Sequence, residues 1–410
     1  MHCPHCSSAS NKVFFTRSIP IYPFTVSPET ALTMPNELTQ VIELNYLYCS
    51  QCGLVYSHLR PQDHELLNTI YEKFYFYISR TNIIDYELSS FLDVTAQWIN
   101  HKSTVAEIGC YDGSLLALIR ERFDISNLIG IEPSRKGGET ARERGITVIT
   151  DFFPTNQLVT KCDTIISRHV IEHISDIKTF LVSQFKAISD DGIVICETPN
   201  VDWALIHGSD KPFHFQHITL LTKQYFLTLL KEIGVKFVSI IELDYRIIVA
   251  ASHIPHTKMV PIETVIQDNN LFISHLTSFQ NRVDTHFLRV KNLLDQINGS
   301  VAIWGAGSFG GNIVANLPLN LLQKIDYIID SDTSKEGYKF LFFDILVSSP
   351  HVLINNDITH ILIMSTYEKE IFEVIQQISP SQSIMIVTMY TDVVLYQYHP
   401  DSKQIIRVSQ

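Results

Sequence analysis

The sequence predicts an α/β protein built on two mainly parallel sheets, each wound with helices and set behind an N-terminal cysteine-bearing segment. Three observations carry that reading. From Thr104 onward short apolar runs alternate with helical stretches, the pattern of a parallel sheet covered on both faces. A second run of this kind starts at Val301-Ala302-Ile303-Trp304 and passes directly into glycines. Ahead of both stand two Cys-x-x-Cys pairs, Cys3-Pro4-His5-Cys6 and Cys49-Ser50-Gln51-Cys52. A chain of 410 residues is long for one core, and these shifts divide it into residues 1–65, 66–255, 256–299 and 300–410. At 45% hydrophobic and 18% charged residues it has the apolar side chains to fill cores of that size.

Each element follows in order. The cysteine pairs are separated by strand-like stretches such as Val41 to Tyr48. Leu66 to Asn100 reads as mainly helical and holds an aromatic cluster, Tyr71 with Phe74, Tyr75, Phe76 and Tyr77. Strands are expected at 104–108, 128–131, 146–150, 163–167 and 192–198, with helices between them, including 114–123 and 176–188. After a helix at 222–233, the runs 235–243 and 246–253 are parted only by Asp244 and Tyr245, so a tight hairpin should put one antiparallel strand into the sheet. Leu276, Phe279, Val283, Phe287, Val290, Leu294 and Ile297 recur at helical spacing and form one stripe. Gly299-Ser300 ends that helix; strands near 301–304, 324–330, 359–365 and 383–389 and a helix near 309–317 make up the second sheet.

Charge and cysteine usage narrow the function. A formal net charge of −12 repels phosphate backbones, so a small or nucleotide-linked partner is expected and a nucleic acid is not. Met1 to Ser10 lacks both a basic stretch and an apolar run, and no window approaches the apolar length of a membrane span, so a soluble, cytoplasmic protein is expected. Seven cysteines, an odd number, argue for thiols and metal over disulfides.

The four thiols Cys3, Cys6, Cys49 and Cys52 form the soft tetrahedral set that structural Zn2+ prefers. With every ligand position filled by sulfur, no place is left for a reactive water; four reduced cysteines without metal are the alternative. A second motif, Glu107-Ile108-Gly109-Cys110-Tyr111-Asp112-Gly113, lies at a strand-to-helix turn, where glycines let backbone approach a ligand closely. Glu132 ends the next strand, and a carboxylate there can accept hydrogen bonds from both hydroxyls of a ribose. Spacing alone also suits a dinucleotide. In Phe213-His214-Phe215-Gln216-His217, two histidines precede a helix, and both are candidate general bases. Finally, Gly305-Ala306-Gly307-Ser308-Phe309-Gly310, with Asp330 ending the following strand, matches a dinucleotide fingerprint in context. Glycines that serve only tight strand-to-helix packing are the alternative.

Glu-x-Gly-x-x-x-Gly with Asp112 resembles the loop of class I methyltransferases, which implies S-adenosylmethionine held by Glu107, Gly109, Asp112, Gly113 and Glu132. In that fold Asp151-Phe152-Phe153 would flank the adenine. The strand end bearing Arg168, Glu172 and His173 would face the methyl group, although Glu172 and His173 also suit an ordinary helix start. The whole order resembles the sugar C-methyltransferases of deoxysugar biosynthesis: zinc segment, class I sheet, long helix, smaller C-terminal Rossmann-like domain. That resemblance implies an enzyme that deprotonates a nucleotide-linked ketosugar beside its carbonyl and methylates the carbon. It implies His217 as the base, His173 as a second active-site histidine, and Tyr75, Tyr77 or His214 beside the enolate oxygen. Gln216 stands where the family has a glutamate and His214 where it has a tyrosine. An O- or N-methyltransferase of a sugar or small metabolite therefore stays open, with a zinc-bearing RNA methyltransferase, a non-catalytic nucleotide binder and a reductase behind it.

Overall fold

A computed structural model describes residues 2–74, 82–99, 103–266, 270–365, 367–389 and 393–408. These form two compact units, each drawn from separated stretches of chain: residues 1–13, 46–203 and 216–273 in one, 14–45, 204–215 and 274–410 in the other.

In the first unit a small antiparallel layer comes first. The end of β1 (Val41–Cys49) pairs with β2 (Val55–Ser57), Leu47 opposite Tyr56. Helices α1 (Pro61–Lys73) and α2 (Asn82–Thr95) follow. The main sheet then alternates strand and helix: β3 (Val105–Ile108), α3 (Ser114–Phe123), β4 (Leu128–Ile131), α4 (Arg135–Glu143), β5 (Thr147–Ile149), β6 (Cys162–Arg168), α5 (Ile177–Ala187) and β7 (Ile188–Pro199). The two-residue strand β8 (Thr219–Leu220) adds to β2, and helix α6 (Lys223–Glu232) leads to β9 (Phe237–Leu243), β10 (Arg246–Ser252) and β11 (Val260–Pro261). The spatial order is β11-β9-β10-β7-β6-β3-β4-β5. Strands β7, β6, β3, β4 and β5 are mutually parallel, and β10 enters antiparallel to both β7 and β9 through the expected hairpin.

Both faces of this sheet are buried, which explains the apolar runs within its strands, such as Leu128–Ile131 and Ile193–Cys196. Successive side chains point to opposite sides. Ile165, Val194, Cys196, Ile247 and Val249 fill one core; Ile166, Ile193, Ile195, Ile248 and Ala250 fill the other. Helix starts are closed locally: Ser134, Asp176 and Thr222 accept backbone N–H groups of Gly137, Thr179 and Tyr225.

The second unit holds the long helix α7 (Asn270–Gln296) and a sheet with β12 (Ser300–Trp304), β13 (Ile325–Ile329), β14 (Val347–Ser348), β15 (Ile358–Ile363), β16 (Ile384–Thr388), β17 (Val394–His399) and β18 (Gln404–Arg407). Their order is β14-β13-β12-β15-β16-β17-β18, parallel as far as β16 and antiparallel beyond it. Val301 and Ile303 face one core with Val290 and Leu294 of α7, whereas Ala302 and Trp304 face the other. Phe15 and Phe213, from the two upstream stretches, meet Phe279 of α7 with ring centroids 4.8 Å away in both cases. Among the described residues, no helix is long and apolar enough to cross a membrane.

Candidate active site

The glycine loop at the carboxyl end of β3 is shaped by its neighbours. Gly109 and Gly113 take positive φ angles of 69° and 74°. A Cβ on Gly109 would lie 2.6 Å from Val170 Cγ2, and one on Gly113 would lie 2.9 Å from Ala141 Cβ, so neither position accepts a larger residue without strain. Glu132, just past β4, straps the loop: one carboxylate oxygen accepts the Tyr111 N–H at 2.9 Å and the other the Ser134 N–H at 2.8 Å. Asp112 accepts the Ser114 N–H at 3.0 Å and pairs with Arg144 at 2.9 Å. Glu107 is buried, and one of its oxygens has no hydrogen-bond partner. Burial pushes its acid up to about 8; the nearby carboxylates of Asp112 and Glu132 push the same way, and Arg168 opposes them. An orphaned buried oxygen and a strapped carboxylate with spare lone pairs fit a cofactor that offers hydroxyl and cationic groups.

The other two residues expected at this pocket are occupied by protein groups. Asp151 accepts from Phe152 N, Thr155 Oγ1 and Gln157 Nε2. Arg168 donates to Glu197 from Nε, with its guanidinium 4.8 Å above the Phe91 ring. Glu197 is fully buried and also takes Arg246 Nη1 at 3.0 Å. Burial opposes its ionisation, yet Arg168, His169 and Arg246 together hold its acid below the ordinary value.

Immediately after β6 the chain turns through His169 at φ 52° into a short 3-10 turn, Ile171–His173. That turn packs onto the glycine loop through Val170 on Gly109. The functional atoms of Glu172, His173 and His217 lie within 4.8 Å of one another. His173 Nδ1 donates to the Gln216 carbonyl at 2.8 Å and meets the Tyr71 hydroxyl at 3.0 Å. Burial lowers its proton affinity, so His173 favours the neutral form. His217 is buried, its ring centroid 4.9 Å from that of His173. The next residue, Ile218, is held from both sides: its N–H donates to the Glu172 carbonyl at 3.0 Å, and Ser57 N–H donates to its carbonyl at 3.0 Å.

The structure thus brings His217 and His173 together. His214 is buried and belongs to the second unit, while Tyr75 and Tyr77 lie outside the described residues. Two groups of the cluster, Tyr71 and His169, were not singled out as site residues from the sequence, whereas Glu172 was read on the strand end facing the methyl group with an ordinary helix start as its alternative. Tyr71 was visible only as one member of an aromatic run. Glu172 sits in a His-x-x-Glu-His string whose polarity also suits a helix start.

The four N-terminal thiols converge. Cys3 and Cys52 Sγ atoms are 3.6 Å apart, as are those of Cys6 and Cys49, and all four lie within 4.8 Å of one another. A disulfide needs about 2.0 Å. Four metal–sulfur bonds of about 2.3 Å at tetrahedral angles set sulfurs ~3.8 Å apart, so the set fits a zinc ion. Gly53, at φ 83°, turns the second knuckle, and Cys49 N–H closes it onto the Leu54 carbonyl at 2.9 Å.

The Gly305–Gly310 loop has a different character. A Cβ on Gly305 would come within 2.4 Å of the Met364 carbonyl oxygen, and one on Gly310 within 2.0 Å of the Gly305 carbonyl oxygen. Close backbone packing alone demands both glycines. Asp330, where a ribose would be gripped, accepts the Ala306 N–H at 2.9 Å and Lys335 Nζ at 3.0 Å.

No curated protein matches the chain. Similar solved structures include magnesium protoporphyrin IX methyltransferase from Synechocystis with bound SAH, 14% identical over 46% of this chain and 98% of that one, TM-score 0.35. An S-adenosylmethionine-dependent methyltransferase from Mesorhizobium loti is 14% identical over 40% of this chain and 95% of its own, TM-score 0.35. Geranyl diphosphate C-methyltransferase from Streptomyces coelicolor is 11% identical over 42% and 76%, TM-score 0.35. Residues 80–240 match the family model of a methyltransferase domain. The chain carries a methyltransferase domain over residues 80–240.

Proposed function

We propose that the chain methylates a carbon of a nucleotide-linked ketosugar, with His217 as the base that removes the proton beside the ketone. The reading rests on one observation: the half-buried His173 and the buried His217, gathered with Tyr71 and Glu172 at a turn that packs against the glycine loop. S-adenosylmethionine supplies a methyl group already activated by its sulfonium. Glu107, Gly109, Asp112, Gly113 and Glu132 would hold it, Asp151 and Arg168 bordering them. The remaining task of the protein is to align an acceptor at ~3 to 3.5 Å and to accept a proton. His173, fixed as an Nδ1–H donor, would orient the acceptor. Tyr75 and Tyr77 are the groups we assign to the enolate oxygen. Zinc at Cys3, Cys6, Cys49 and Cys52 would be structural.

His217→Asn is expected to abolish turnover and leave S-adenosylhomocysteine affinity within about twofold; a fully active variant would remove His217 as the base. Carbon NMR of a product carrying a labelled methyl decides the methylated atom. A second reading, O- or N-methylation of a sugar or small metabolite, is favoured by Gln216. Its amide is fully buried with neither side-chain atom bonded, and it can carry no charge to assist a difficult C–H deprotonation.

A further inference from the structure

Glu172 has no step in the reaction above, yet it is an enclosed acid, 1% exposed. One carboxylate oxygen, Oε2, accepts the Thr198 hydroxyl at 3.1 Å. The other, Oε1, faces two histidines: His169 Nδ1 at 3.3 Å and His217 Nε2 at 3.8 Å. Backbone ties this acid to the His217 segment, through Ile218 N–H on the Glu172 carbonyl and the Thr219 hydroxyl on the Ile174 carbonyl at 2.8 Å. These ties hold the two backbone segments side by side, which keeps the carboxylate within reach of the imidazole.

We infer that Glu172 is the positioning residue of His217, holding its hydrogen on Nε2 so that Nδ1 carries the lone pair that takes the acceptor's proton. The inference rests on His217 being the base. During transfer the acceptor's proton moves to Nδ1. Its electron pair forms the new bond to the methyl carbon, and the carbon–sulfur bond breaks with its electrons going to sulfur. Glu172 stays a carboxylate and stabilises the imidazolium across the Nε2 contact, which shortens as charge develops. His217 then loses its proton to water once the product has left.

The surroundings bear on this pair from every side. His173 favours the neutral form and contributes no opposing cation. Tyr71 bonds to His173. His169 competes for Oε1, and its other ring nitrogen lies 4.0 Å from Glu197. Burial and Arg168 work against a charge on His169, but Glu172 and Glu197 outweigh them and raise its proton affinity. Glu172 thus divides its charge between two imidazoles.

Glu172→Gln keeps the size and can keep the Thr198 bond while removing the charge. NMR titration of the His217 imidazole, assigned by the signal lost in His217→Asn, reads the coupling without any turnover. The midpoint is expected to fall by about one pH unit or more, the acid limb of kcat/KM to move down with it, and kcat to drop at least about tenfold. Glu172→Asp, which retains the charge, should recover part of the midpoint shift. Should Glu172→Gln fail to fold, His169→Gln is the second arm: relieving Oε1 of its other imidazole should raise the His217 midpoint. A His217 midpoint unmoved in the variant that folds overturns this inference alone, whereas a fully active His217→Asn overturns the base reading beneath it.

Discussion

Glu132→Gln tests the cofactor pocket where its geometry is most explicit. In the native loop each oxygen of Glu132 accepts one backbone N–H, from Tyr111 and from Ser134, and the side chain is 6% exposed. Glutamine offers one oxygen, so its amide nitrogen must face the second N–H, donor against donor. Hydrogen bonds to a charged acceptor contribute roughly 1.5–3 kcal/mol each. Losing one should lower the melting temperature by roughly 3 to 12 °C, at about 2–4 °C per kcal/mol for a domain of this size. If the same carboxylate also grips a ribose, the loss of one charge-assisted bond weakens S-adenosylhomocysteine roughly 10- to 150-fold. Calorimetric titration and a thermal scan on one preparation read both numbers. A lower melting temperature with affinity unchanged within twofold would show that the carboxylate serves only the loop, and no change in either would refute the reasoning altogether.

Four further outcomes are expected. The folded protein keeps a proton on Glu107 up to about pH 8, which an unfolded chain loses near the ordinary 4.5. That contribution to stability is full below 4.5 and is lost as pH rises through 8, so the urea midpoint should fall across this window and flatten in Glu107→Gln; parallel profiles would contradict it. Gly113→Ala places a Cβ 2.9 Å from Ala141 at φ 74° and should cost roughly 1–3 kcal/mol in urea titration, an ordinary midpoint counting against the strain. Cys49→Ser should reduce bound zinc from about one per chain toward none by elemental analysis, with retained metal disproving the four-sulfur site. Asp330→Ala frees the Ala306 N–H and Lys335, and should lower stability by about 1–3 kcal/mol while leaving S-adenosylhomocysteine affinity as it was; weakened affinity would show that the 305–310 loop reports on the cofactor.

The parallel sheet was legible because it is buried on both faces. Runs such as Leu128–Ile131 and Ile193–Cys196 read as continuously apolar, and Asp244-Tyr245 marked the hairpin that turns β10 around. The glycine loop and its acid were legible because Gly109, Gly113 and Glu132 answer local backbone demands. Pairings distant in sequence were not. Nothing in the strings 14–45 or 204–215 announces that Phe15 and Phe213 would meet Phe279, since an apolar residue carries no address. Tyr71 escaped for the same reason, as did the pairing of Glu172 with His217: the partners lie 102 and 45 residues away, at His173 and His217. Arg168, marked for the cofactor by position alone, is claimed by Glu197, a partner reachable only once β6 and β7 are side by side.

The short ladder between Val55–Ser57 and Thr219–Leu220 matters to anyone trimming this chain for convenience. A version cut back to begin at α1 would retain every residue around the glycine loop but would strip Leu47, Cys49, Leu54 and Tyr56 from the core they share with Ala106 and Ile108. It would also have lost the edge against which Ile218 is pinned, one residue from His217. Such a shortened protein should lose both stability and the placement of His217, so the cysteine hairpin is part of the workbench as well as the casing.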